Sequence, residues 1–446
     1  MNDSAFQSRF SSQSPARPAI AYLASTLPRR SETFVYREIR ALRQRGWNVH
    51  AASLHQPSKE DCEACPDIAA DLTVVYGPPM VWGAIKELIF HPVHAAAVIC
   101  GALSDACCPG EAMGASNRFK LLGQSIAALA LAKRLRVLGV RHIHCHFAHA
   151  PATVGMYAAR QLGVNFSFTG HANDLFQRRL LLLKKLKRAA FVSCISQWHR
   201  NLYRQILPRP DDVYRVIRCG VDVDSWAPGR GSITAPIFRI LTVCRLVEKK
   251  GIDTLLKALA ELRAQHSIAW RLTVAGDGPE GQALHRLATE LGLTDSINWL
   301  GAVGNEQVPG LLKNADLFVL PCRTSVAGDR DGIPVVLMEA MACGVAVVSG
   351  DLPAIRELVE DRHSGRLVDG TDAKALAQVI AELAADPEQQ SQIGLNGRRR
   401  VEEEFSLAAN IDRLEAALHA TFAMPASSAG PQVLSSRRSD LIAGKG

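Results

Sequence analysis

The sequence predicts an α/β protein made of two domains, each built on a parallel sheet. Three observations predict it. Short apolar runs with strand character alternate with helical segments from end to end, and that alternation favours parallel strands covered by helices on both faces. The chain has 446 residues, too many for one small core, and at ~100–200 residues per domain it asks for two or three. One stretch, Trp226-Ala-Pro-Gly-Arg-Gly-Ser-Ile-Thr-Ala-Pro236, is rich in Gly and Pro near the middle of the chain and reads as a linker.

Taken in order, the strand-like runs of the first half are Ile20–Thr26, Val49–Leu54, Leu72–Tyr76, His142–Phe147, Asn165–Thr169, Ala190–Ile195 and Tyr214–Arg218. Those of the second half are Arg239–Cys244, Arg271–Ala275, Ile297–Leu300, Leu317–Pro321, Val345–Ser349 and Gly365–Val368. Helices such as Ile252–Gln265 and Glu280–Leu291 fill the gaps. Residues 80–130 are Ala-rich, broken by Cys107-Cys-Pro-Gly110, and read as a helical insertion. The expected division is a lead over 1–18, an N-terminal domain over 19–227, a linker over 228–237 and a C-terminal domain over 238–405. A last helix over 406–422 and a tail over 423–446 follow. The polar lead and the Ser-, Gly- and Arg-rich tail read as disordered.

Composition is ordinary for a globular chain, 48% hydrophobic and 21% charged. No apolar run reaches the ~18 residues of a membrane span. The N-terminus has no apolar core of a secretory signal, so a cytoplasmic protein with reduced thiols is expected for its 11 cysteines. Cys62-x-x-Cys65 has no second pair and is a weak metal or redox signal. The net charge is +8, unevenly placed. The first 228 residues hold 28 Lys and Arg against 16 Asp and Glu, and the rest hold 23 against 27. A basic first half suits an anionic partner, such as a membrane surface or a lipid-linked pyrophosphate, or it serves solubility.

Asp331-Gly-Ile-Pro-Val-Val-Leu-Met-Glu339, continuing Ala-Met-Ala-Cys-Gly344, carries the most chemistry. Pro334 suits a first helical turn and Gly344 a stop. Asp331 then precedes a helix N-terminus and Glu339 sits on the helix. A helix N-terminus has free N–H groups and positive partial charge, which suit phosphate. A carboxylate on each side of that anion site can accept hydrogen bonds from the hydroxyls of two sugars.

This stretch resembles the acidic-x7-acidic signature of retaining GT-B glycosyltransferases of family 4, the glycosyl transferases group 1. Its wording is most similar to the exopolysaccharide and colanic-acid type. The first acid is usually Glu; here it is Asp331, one methylene shorter. The resemblance spans residues 19–420 and implies a GT-B fold, two Rossmann-like domains with parallel sheets facing across a cleft, with the last helix crossing back to the first domain. It implies that Asp331 contacts the donor sugar and Glu339 the ribose of the nucleotide.

Further motifs fall in order around it. Arg245 and Lys250 flank a strand-to-helix turn, where two cations could neutralise a diphosphate; the family uses an Arg and a Lys at this spacing for that purpose. Gly276 and Gly278 form a strand–turn–helix loop whose glycines permit close approach to a ligand, and the resemblance places it near the nucleotide. The backbone around Val303 is where family members hold the base. Gly332, Ile333 and Val335 could offer backbone N–H groups to sugar and phosphate.

In the first half, Ser31 reads as a helix N-cap, followed by Glu32 in the first turn and Thr33. Arg29 and Arg30 lie beside that helix start, where cations suit an acceptor pyrophosphate. Many family members have a Gly-Gly loop here, and this Ser-Glu-Thr-Phe wording matches the exopolysaccharide subgroup. His142, His144 and His146 share one face of a strand, with His149 beyond it. No carboxylate or Cys pair joins them at zinc spacing, and cleft lining is expected ahead of metal. His171 ends the next strand, and the resemblance gives it a role at the donor sugar, with Asp174 following. The basic, leucine-rich run Arg178–Arg188 could lie on an anionic membrane, or pack its leucines on the sheet with its cations solvated. Lys249 is expected to face solvent.

The resemblance implies a retaining, metal-independent transfer by front-face displacement, with Asp331, His171 and Glu339 as its catalytic residues. No cofactor is expected; the nucleotide-diphosphate-sugar is a co-substrate. The acceptor would be a glycan or a polyprenyl-diphosphate-linked sugar, in exopolysaccharide assembly at the inner face of the plasma membrane. Two other classes remain open on the same fold, a nucleotide-sugar epimerase and a silent binding protein, the latter because of the short Asp331. No G-x-G-x-x-G follows a strand, and the basic residues lack the interleaved aromatics of a nucleic-acid site.

Overall fold

The computed structural model describes residues 17–30, 32–107, 114–171, 180–226 and 237–423. Most of the lead, most of the linker and nearly all of the tail fall outside them, as do Ser31 and Asp174.

The strands of the first sheet are β1 (Ile20–Thr26), β2 (Val49–His55), β3 (Thr73–Val74), β4 (His142–His146), β5 (Asn165–Gly170), β6 (Phe191–Cys194) and β7 (Tyr214–Val216). They stand in the order β3-β2-β1-β4-β5-β6-β7, all parallel. The second sheet holds β8 (Phe238–Val243), β9 (Trp270–Ala275), β10 (Ile297–Gly301), β11 (Leu317–Leu320), β12 (Ala346–Gly350) and β13 (Arg366–Val368). Its order is β10-β9-β8-β11-β12-β13, again parallel.

The inner strands of each sheet are buried on both faces, and most of them read as apolar runs; β4, His-Ile-His-Cys-His, is the buried exception. In β1, Ile20 and Tyr22 face a core shared with Trp47, Leu414 and Leu418, while Ala21 and Leu23 face one shared with Ile143 and Tyr157. After the second domain the chain returns at Ser406, which bridges Val221. The final helix, Leu407–Ala423, then packs on the first domain.

In both sheets the strand order reverses beside the first strand. Open parallel sheets bind ligands beyond the carboxyl ends of their strands at such switch points. One reversal lies between β1 and β4, and the other between β8 and β11. The segments leaving these strands are those that the sequence singles out: 27–33, 147–149, 244–251 and 321–334.

Candidate active site

The helix that carries Glu339 runs Val335–Ala342. Pro334 is its cap residue, with extended ψ of 127°, rather than part of its first turn. Gly344 has φ +71° and ends it. Leu337 N–H bonds to Pro334 O at 3.1 Å, and the backbone N–H groups of Gly332, Ile333 and Val335 meet no protein acceptor among the described residues. These three donors and the positive end of the helix open towards the loop that holds Asp331.

Asp331 is deeply set among cations. Its carboxylate lies 2.8 Å from Lys250 Nζ and 3.4 Å from Lys249 Nζ, and accepts from Cys322 Sγ at 3.3 Å. Burial alone would raise its pKa, but the two lysines hold it below the usual carboxylate range. Burial works against the Lys250 ammonium, and Asp331 more than offsets it, so its pKa is raised. The shorter side chain at position 331 thus reaches Lys250 directly. Lys249 does not face solvent as expected: Arg323 N–H donates to Lys249 O at 2.9 Å, folding the loop over the turn, and Lys249 Nζ meets Asp329 at 3.0 Å. Arg245 is exposed and makes no ion pair among the described residues, so its charge is available to an anion.

Gly276 and Gly278 also have a reason within the chain itself. A Cβ on Gly276 would lie 1.8 Å from Cys244 O, and one on Gly278 would lie 2.3 Å from Leu246 O. Both permit a close approach of the loop after β8. They therefore shape the turn that carries Arg245. Val303 follows β10, its side chain packed against the core of the second domain.

Across the cleft, the helix Thr33–Gln44 leaves the β1 loop. Its cap position belongs to Glu32, not to Ser31. Thr33 is buried in the first turn. Arg30 is held by the neighbouring acids: its N–H donates to Asp61 at 3.0 Å and its guanidinium to Glu60 O at 3.3 Å. Phe34 reaches inward, its ring 4.8 Å from that of His171.

His142, His144 and His146 do share one face of β4, all buried. Ser167 Oγ bridges His142 and His144 at 2.7 Å each, and Thr169 Oγ1 meets the other nitrogen of His144 at 2.9 Å. His146 Nδ1 lies 3.3 Å from His171 Nε2, and His146 Nε2 lies 3.3 Å from Glu38 Oε1. Tyr22 donates to the same Glu38 oxygen at 2.6 Å. A carboxylate therefore does join the histidines, contrary to the reading from spacing alone. Glu38, His144 and His146 bring ligand atoms within 4.8 Å of one another. Burial, and then neighbouring imidazoles, push His144 and His171 well below the ordinary histidine range.

The two domains touch at this level. Both Nη atoms of Arg37 donate to Glu339 Oε1 at 3.0 Å. Burial raises the Glu339 pKa, and Arg37 only partly opposes it. The Glu357 carboxylate accepts from the N–H groups of Gln197 and Trp198 at 2.7 Å each, at the start of the Gln197–Ile206 helix. Asn305 donates to Arg30 O at 3.1 Å. A small cleft lies between Trp198 and His199 on one side and Arg330, Asp331 and Pro353 on the other. Arg37, Glu38 and Glu357 were not singled out from sequence. The available signal for the first two was polar residues one helical turn beyond Phe34.

The basic helix of the first domain, Leu182–Arg188, is not a free cationic face. Lys185 is fully buried and donates to the carbonyls of Ala148, His149 and Leu180 at 2.6, 3.0 and 2.8 Å. Lys184 and Arg188 pair with Asp105.

Two Rossmann-like domains, each a parallel sheet whose strand order reverses beside its first strand, form the GT-B architecture. Residues 236–400 match the family described as glycosyl transferases group 1, and residues 111–225 match glycosyltransferase family 4. The chain belongs to this family and is a glycosyltransferase enzyme. It is similar to a putative colanic acid biosynthesis glycosyltransferase of Escherichia coli K12, 29% identical over 401 residues, covering 87% of this chain and 96% of the relative. It is also similar to a GDP-mannose-dependent phosphatidylinositol monomannoside mannosyltransferase of Mycolicibacterium smegmatis, 34% identical over 219 residues, 47% of this chain and 57% of that one. The solved structure of Anabaena HepE with UDP shares the fold, with a TM-score of 0.69 at 18% identity over 90% of this chain and 100% of that chain. Among the described residues no single helix is long and apolar enough to cross a membrane.

Proposed function

We propose that the enzyme moves a sugar, with retention of configuration, from a nucleotide-diphosphate-sugar to a glycan or polyprenyl-diphosphate-linked acceptor. The pathway would be exopolysaccharide or other cell-surface polysaccharide assembly at the cytoplasmic face of the membrane. The observation that carries this reading is the cluster of Asp331, Lys250 and the free N–H groups of Gly332, Ile333 and Val335 at the β8/β11 reversal. Arg245 and Lys250 would neutralise the diphosphate. Asp331, kept ionised, would accept from donor-sugar hydroxyls, and Glu339 from the ribose. His171 would face the donor sugar from the other domain.

In the transfer, the bond from the anomeric carbon to the diphosphate oxygen breaks and a bond to the acceptor oxygen forms on the same face. The acceptor proton passes to the departing phosphate. Charge on that phosphate is stabilised by cations and backbone donors already in place. Glu38 and His146 would act through His171: a Glu38 carboxylate accepts from His146 Nε2–H, which leaves His146 Nδ1 to accept from His171 Nε2–H. That chain sets His171 with its Nδ1 as an acceptor. We read the transfer as needing no metal.

Calorimetry with UDP-, GDP- and ADP-sugars in EDTA tests the donor site. One nucleotide class should bind, and binding should be lost in Arg245→Ala. Absence of binding to all three, or full affinity in Arg245→Ala, would overturn the donor-site assignment. The anomeric configuration of the product, read by NMR, tests retention.

A further inference from the structure

Three helices, Pro79–Phe90, Pro92–Ala106 and Ala115–Val137, fill the stretch between β3 and β4. Their inner faces are closely fitted. Gly83 rests on Ala130, where an added Cβ would come within 3.1 Å, and buried Glu87 accepts from Arg136 at 3.0 Å and Gln161 at 2.8 Å.

The outer face inverts the usual pattern, in which a helix turns its charged side to water. Trp82, Ile85 and Ile89 recur at helical spacing on one side of Pro79–Phe90, and are 68%, 37% and 65% exposed. Phe90, at the helix end, is 72% exposed, and Phe119, near the start of the third helix, is 74% exposed. Exposed apolar surface on this scale marks a contact site. The first two helices together are apolar enough to span a membrane but are bent by 118°, so they suit lying on a bilayer rather than crossing it.

Charge selects the occupant. The acids of the described part of this stretch, Glu87 and Asp105, are both buried and paired inside the fold. Lys86 stands one turn from Trp82, Lys120 stands beside Phe119, and both are exposed. Among the described residues this face offers apolar and aromatic side chains with cations and no exposed acid, which suits anionic lipid.

We propose that this face is the surface on which the enzyme rests on an anionic bilayer, with Trp82, Phe90 and Phe119 in the headgroup boundary and Lys86 and Lys120 against lipid phosphates. The proposal rests on the lipid-linked acceptor reading for its purpose. Its test uses no donor and no acceptor, so the two fail separately.

The full chain is sedimented with phosphatidylcholine vesicles, with and without phosphatidylglycerol. Binding is expected only with phosphatidylglycerol and should weaken as salt rises. The double variant Trp82→Glu, Phe90→Glu should bind weaker by about tenfold or more at unchanged melting temperature. Lys86→Ser with Lys120→Ser gives an independent reading should the first variant fold poorly, and should lose most of the anionic preference. Equal binding by both double variants and the parent would overturn the proposal, as would a parent that ignores anionic vesicles. A parent dimer that Trp82→Glu, Phe90→Glu converts to monomer would overturn it in favour of a second copy.

Discussion

Around Asp331, burial is met with charge. A carboxylate, two lysines and a thiol are packed together, and the ion pairs keep Asp331 and Lys250 ionised. Around His144, burial is met with neutrality. Imidazoles are linked by hydroxyls, and their pKa values fall because a proton has nowhere to be solvated. The first region holds cations that an incoming diphosphate can recruit. The second holds a wall of neutral imidazoles and hydroxyls, with the Glu38 carboxylate at its edge by His146 and defined donors and acceptors. Burial is common to both, and the difference lies in whether each group's neighbour carries a countercharge.

The comparison breaks most severely at Lys250. Lys250→Ala leaves Asp331 buried beside Lys249 alone. Because Lys249 still faces Asp331, the cost stays below the ~3 kcal/mol of breaking a fully buried pair, and donor affinity should fall by about 100-fold because a diphosphate contact goes with it. The sign for Asp331 follows from its depressed pKa: its contribution is present above the unfolded value near about 3.9 and is lost as pH falls through the folded value. The variant should therefore lose part of this acid dependence. Calorimetry with the donor and melting curves below about pH 5 read both effects. Donor affinity retained in a destabilised Lys250→Ala would reduce Lys250 to a structural partner of Asp331.

A smaller effect is expected on the neutral side. Glu38→Gln lets His146 turn its hydrogen-bond polarity around, and with it His171. The turnover number should fall by about tenfold to 100-fold, with the donor KM nearly unchanged, and the pH profile should shift; Glu38→Asp should recover part of the rate. An unchanged pH profile and rate would remove Glu38 from the chain. The wall also makes a stability prediction. Burial lowers His142 to about 3 and His199 to about 4, and His144 and His171 fall as well. Below about pH 6.5 the unfolded chain binds protons that the folded one refuses, so stability is lost as pH falls, at up to ~1.4 kcal/mol per pH unit per histidine. A melting temperature that is flat between about pH 7.5 and about pH 5.5 would show these rings to be solvated.

The same contrast explains what sequence could supply. Part of the second-domain site is written locally: Asp331, the N–H donors, Glu339 and Gly344 lie within one loop and one short helix, whereas Lys250 comes from a separate loop, and most of the buried strands announce themselves as apolar runs. The first-domain wall is not local. Glu38 and His146 are 108 positions apart and meet because a helix folds over a sheet, which no spacing rule encodes. Lys185 was legible as a cation on a leucine-rich helix. Its burial depends on three carbonyls turning towards it, and that needs the fold. Lys249 looked outward for the same reason, since the loop that covers it begins over seventy positions later.

The smallest expected effect lies where the two regions join. Arg37, from the helix that also carries Glu38, donates twice to Glu339 and ties the neutral wall to the charged site. If Glu339 holds a ribose, it must exchange Arg37 for hydroxyls, and the bridge competes with the nucleotide. Arg37→Ala removes that competitor but also the cation that restrains the raised pKa of Glu339, so the two consequences partly cancel. Competition should win, because ribose hydroxyls can donate to a carboxylate whether or not Arg37 is present. A nucleoside diphosphate should bind about threefold tighter, worth ~0.7 kcal/mol, while the free protein melts lower. Calorimetry with the nucleotide alone reads the sign. Weakening comparable to that of Glu339→Ala would place Arg37 inside the nucleotide site, as a ligand that the first domain contributes to the second.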